Sequence, residues 1–111
     1  MHRQFIYVPK TAEDMKSDYF GDETADLYEW NLSDSEFNSL WDCGVFEYLN
    51  KKCNVFIDTF EDEWIMYQYL YFEYDELIEK LNKFRCGNEI KVLINMIDKA
   101  IESRTYIGFF L

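Results

Sequence analysis

Residues Ser33 to Ile65, SDSEFNSLWDCGVFEYLNKKCNVFIDTFEDEWI, decide the fold. Ser33 and Glu36 have the S-x-x-E spacing of a capping box, in which hydroxyl and carboxylate satisfy each other's free backbone donors. Behind them Phe37, Leu40, Trp41, Val45, Tyr48 and Leu49 recur at steps of three and four, the signature of one buried helix face. Gly44 interrupts that pattern, so the run is either one kinked helix or two short helices joined there. After Lys52, residues Asn54 to Ile57 form a brief extended piece whose apolar side chains point to the core. Asp58 or Thr59 then caps a helix starting at Phe60, with Glu61, Asp62 and Glu63 in its first turn, where carboxylates complement the helix dipole.

Outward from this stretch, Gln4 to Val8 (QFIYV) is a short apolar strand ended by Pro9. Lys10 to Leu32 is acidic and weakly patterned. Within it Thr11-Ala-Glu-Asp suits one helical turn, and Asp26 to Leu32 an edge strand or an extended lead into the helix. Trp64 to Phe72 is almost wholly apolar and fits helix or strand equally well. Leu70, Tyr74, Leu77, Ile78, Leu81 and Phe84 make an amphipathic helix that Cys86-Gly87 ends. Asn88 caps another, with Ile90, Leu93, Ile94, Ile97, Ala100 and Ile101 on its face. Tyr106 to Leu111 is a hydrophobic strand that needs a partner and a cover, and Gln4 to Val8 is the matching one. The expected fold is α+β: one domain over residues 1–111, three or four helices packed on a small sheet that pairs the N- and C-terminal strands.

Composition narrows the function. The net charge is −11, and it is unevenly spread. Thr11 to Glu79 holds 19 acidic against 3 basic residues, whereas Lys80 to Leu111 holds 3 acidic against 6 basic. A field of that sign repels nucleic acid and anionic membranes and attracts a basic protein. The plain alternative is that acidity keeps an aromatic-rich chain in solution. Nineteen Phe and Tyr side chains and three Trp exceed the needs of a core this size, so some rings reach the surface, where such residues anchor interfaces.

No motif carries chemistry. There is no phosphate loop, nucleophile elbow or zinc-helix signature, and His2 is the only histidine. Asp58, Glu61, Asp62 and Glu63 are potential oxygen ligands, but they lack the alternating loop of a calcium site, and helix capping accounts for two or three of them. Cys43, Cys53 and Cys86 form no C-x-x-C pair and read as reduced thiols of a cytosolic protein. No apolar run is long enough for a membrane span. The expectation is a non-enzyme without metal or cofactor.

The pattern F-N-S-L-W-x-x-G-V-F-E-Y-L-N, followed by V-F-I-D-T-F-E-D-E-W-I, two amphipathic helices and an apolar terminal strand, resembles small bacterial immunity proteins of polymorphic and contact-dependent growth-inhibition toxin systems. The resemblance runs from about Leu32 to Leu111 and rests on Gly44-Val45-Phe46, Leu49-Asn50 and Ile57-Asp58 with Glu61 and Glu63. The run Met66 to Phe72 departs from it. Such proteins are cytosolic, do no catalysis, and bind one cognate toxin, often a nuclease, over its active site or substrate surface. The resemblance thus implies a toxin domain as partner, and the chain's own charge points to a basic one. The other reading of the same charge is an acidic nucleic-acid mimic that inhibits a DNA- or RNA-binding protein. The residues placed to make contact are Asp22, Glu23, Asp26, Tyr28, Glu29 and Trp30 in the first acidic segment, and Glu61, Asp62, Glu63, Tyr67 and Tyr69 in the second.

Overall fold

A computed structural model describes residues 4–16, 26–59 and 62–111. The order is β1 (Phe5–Pro9), α1 (Ala12–Lys16), β2 (Leu27–Asn31), α2 (Asp34–Asp42), α3 (Val45–Cys53), β3 (Asp62–Met66), α4 (Tyr67–Phe72), α5 (Tyr74–Leu81), α6 (Glu89–Ser103) and β4 (Tyr106–Phe110). The fold is α+β. All strands pair antiparallel in one sheet of order β2-β1-β4-β3, with the N- and C-terminal strands side by side at its centre.

Register explains why these short strands hold. Ile6 pairs with Phe109 and with Trp30, and Val8 with Tyr28. Ile6, Val8, Ile107, Phe109 and Ile65 face the helices and join Leu40, Phe46, Leu49, Leu77, Leu93 and Ile97 in one core. The alternate residues form a second apolar layer on the outer face of the sheet. There Phe5 packs on Phe110 and on Tyr7, Tyr7 on Tyr106, and Tyr106 on Trp64, with ring centroids 5.0–6.1 Å apart. Both faces of β1 are therefore buried, which is why Phe5 to Val8 is apolar throughout rather than alternating.

The helices follow local signals. Ser33 accepts from the Glu36 amide at 3.1 Å and Glu36 accepts from the Ser33 amide at 2.9 Å, so the capping box forms as the sequence requires. Gly44 sits at φ 90°, in the left-handed region that glycine enters without a Cβ penalty, and it splits the run into α2 and α3. Asn50 then clamps the extended segment after α3: its side-chain amide accepts from the Ile57 amide at 2.6 Å and donates to the Ile57 carbonyl at 3.1 Å. Ile57 is buried as expected, but Phe56 points outward, 78% exposed.

The single helix expected through Leu70, Tyr74, Leu77, Ile78, Leu81 and Phe84 is two, α4 ending at Phe72 and α5 at Leu81, with a break at Glu73 between them. Two further expectations need correction. Asp62 and Glu63 do not open a helix; Asp62–Met66 is the edge strand β3, paired along its length with β4. The reason is tertiary: β4 at the centre of a sheet needs a neighbour on each side, and Ile65 and Trp64 fill both faces of that position. The ambiguous run 64–72 is thus strand to Met66 and helix from Tyr67. The second concerns Cys43, after α2, and Cys86, ahead of α6, which are joined as a disulfide with Cα atoms 6.1 Å apart. That separation lies within the usual span of the bond. They are 43 positions apart in sequence, so only the fold brings the pair together. Cys53 is the free thiol, and burial pushes it up to about 11.

Candidate partner-binding surfaces

The two acidic segments end on opposite edges of the sheet. β2 carries one and β3 the other, three strand spacings apart, roughly 14 Å. Among the described residues Glu29 and Asp62 share the outer face of the sheet, on either side of Tyr7. Asp22, Glu23 and Glu61 lie outside the described residues.

On the β2 edge much of the charge is answered internally. Lys10 pairs with Asp26 at 3.1 Å, and the Asp26 amide donates to Asp14. Lys10 and Lys99 both lie over the Tyr28 ring, 4.9 and 4.4 Å from its centroid. Trp30 is half-buried and donates its indole N–H to Glu36 at 3.3 Å, tying β2 to the start of α2. Glu29 is the exposed carboxylate of this strand, on the sheet's outer face in register with Tyr7.

On the β3 side the candidates serve the fold even more directly. Asp62 accepts from the buried Tyr7 hydroxyl at 3.2 Å, and burial raises its carboxyl above the ordinary range. Glu63 turns toward the segment after α3 and accepts from the Phe56 amide at 3.1 Å. The Tyr69 hydroxyl donates to the Lys52 carbonyl, close to where Lys52 bridges Glu73 and Glu76. Tyr67 is half-buried at the start of α4.

No family model matches the chain, and neither does any curated protein or solved structure. The surfaces must be read from their own chemistry.

Sequence reasoning missed one concave surface. α4, α5 and α6 leave a groove of about 640 Å³ lined by Tyr71, Phe72, Tyr74, Asp75, Asp98, Ile101 and Glu102. Two signals for it stand in the sequence. Asp98 and Glu102 lie one turn apart on α6, and Tyr71-Phe72 falls off the apolar stripe that runs through Leu70 and Leu77. What the sequence cannot give is that these two helices face each other. Among the described residues no three His, Cys, Asp or Glu side chains are placed to hold a metal ion, and no helix is long and apolar enough to cross a membrane.

Proposed function

We propose that this chain is an inhibitory binding protein of the immunity type, cytoplasmic and without cofactor, that neutralises a basic toxin domain, most plausibly a nuclease. Charge carries the reading. Most described lysines are already matched within the fold: Lys10, Lys51, Lys52 and Lys83 pair with carboxylates, and Lys80 and Lys99 lie over aromatic rings. Exposed carboxylates on α2, α5 and α6 outnumber these cations and set the external field, and Phe56, Tyr71 and Phe72 stand exposed among them. Such a surface competes with phosphates for a cationic groove, and long-range attraction hastens the encounter.

The test is protection. Cells expressing the basic toxin domain encoded beside this chain should survive when it is co-produced, and the purified pair should lose toxin activity at equimolar ratio. A toxin that stays fully active in its presence overturns the reading. Inhibition of many unrelated DNA-binding proteins, with no preference for that neighbour, would instead mark a nucleic-acid mimic.

A further inference from the structure

The groove between α4, α5 and α6 has a composition unlike the rest of the surface. Phe72 on its rim is 83% exposed and Tyr71 is 72% exposed, so two adjacent rings contribute little to folding. Tyr74 and Ile101 line it more deeply, both half-buried against the core. Three carboxylates, Asp75, Asp98 and Glu102, surround these rings, and among the described residues lining the groove none is basic. The Tyr74 hydroxyl donates to Asp98 at 2.6 Å and fixes the orientation of that carboxylate. Of the three lysines on α5 and α6, Lys80 lies over Tyr48 and Phe84 and Lys99 over Tyr28.

Rings that offer a face, beside carboxylates that offer paired acceptors, suit a planar cation. A guanidinium stacks on an aromatic face through its π system and presents two N–H groups to a carboxylate at once; an ammonium does only the point-charge part. The 640 Å³ volume accommodates a side chain of that length with room for its backbone at the mouth. We infer that this groove receives an arginine side chain from a basic segment of the partner protein, stacked on Tyr71 or Phe72 and paired with Asp98 and Glu102. The inference deepens the inhibitory reading and rests on it for the partner, though not for the chemistry of the groove.

The full chain, labelled with ¹⁵N, is titrated with hexa-arginine and with hexa-lysine at about 0.15 M ionic strength, where loose surface attraction is screened. The largest shifts should fall on Tyr71, Phe72 and Ile101, with hexa-arginine bound several-fold more tightly. Phe72→Ala and Glu102→Gln should each weaken it about three- to tenfold, whereas Glu47→Gln on α3 should leave it unchanged. Equal affinity for the two peptides, or largest shifts along Asp26 to Glu29, would overturn the assignment. The protection assay separates this from the inhibitory reading. If the wild type protects and a folded Phe72→Ala/Glu102→Gln variant protects equally, the groove is not the contact, while inhibition stands. If the variant alone loses protection, the groove is the contact. Should the wild type fail to protect yet still select hexa-arginine at the groove, the inhibitory reading falls and the site remains.

Discussion

Gly108 lies under the ring of Tyr7, and a Cβ built there would sit 2.3 Å from that ring. Both residues are at the centre of the sheet, and neither backbone can yield without losing the β1–β4 pairing. Gly108→Ala should therefore cost about 1–3 kcal/mol, a fall of about 5–15 °C in Tm. Adding Tyr7→Leu should restore part of the loss, so that the double variant is less destabilised than the sum of the two, as contacting pairs require. Calorimetry on the four proteins checks it; strict additivity would show that the glycine is not there for the ring.

The same tyrosine donates to Asp62. Burial raises this carboxyl, the Tyr7 hydrogen bond opposing it only in part. A group whose folded pKa is raised holds its proton more tightly when folded, so ionisation at neutral pH works against the fold. Asp62→Asn keeps an acceptor for Tyr7 and removes the charge. It should melt at or above the wild-type temperature at pH 7, with the gap closing as the pH falls toward about 4. Glu36 has the opposite sign: the Ser33 amide holds its carboxyl below the ordinary range. Its contribution is present above that range and disappears as the pH drops through the lowered value. A lower melting temperature for Asp62→Asn at pH 7 would mean that the carboxylate is an asset to the fold.

At the scale of elements, what could be read from the chain was what is local. The Ser33–Glu36 box, the break at Gly44 and the apolar faces of α5 and α6 all act within a few residues, and the structure repeats them. β3 was not legible for a definite reason. Three acids ahead of an aromatic run look like a helix start, while in the fold one is used by Tyr7 and another by the Phe56 amide. The groove was hidden for a related reason, since it exists only where α6 meets helices some thirty residues earlier. The Cys43–Cys86 pair is likewise non-local. Closing a loop of that length restricts the unfolded chain by about 4 kcal/mol on the chain-entropy account. Reductant should accordingly lower Tm well beyond its effect on a Cys43→Ser/Cys86→Ser variant. Identical melting with and without reductant would show that both sulfurs remain thiols, as the spacing alone suggests.

For the molecule as a whole, the charge asymmetry matters most in association. If the anionic surface steers a basic partner, the association rate should fall steeply between about 0.05 and 0.5 M salt while dissociation changes little. Stopped-flow measurement decides it. A flat association rate would place the acidic surface away from the contact and leave it a role in solubility alone.

The sheet also dictates how the chain must assemble. β4 stands between β1 and β3, so the central pairing joins residues about a hundred positions apart, and β3 has no strand beside it until β4 arrives. Thr105, fully buried, locks the same junction by donating its hydroxyl to the Pro9 carbonyl at 2.7 Å. β1 and β2 are near enough in sequence to pair first, whereas both pairings of β4 join distant segments. Contacts of such long range place folding in the slow, millisecond-to-second regime, and they make partial structures poorly rewarded. The ladder-bonded amide protons of the central strands β1 and β4 should then exchange only through global opening, ahead of those on the two edges.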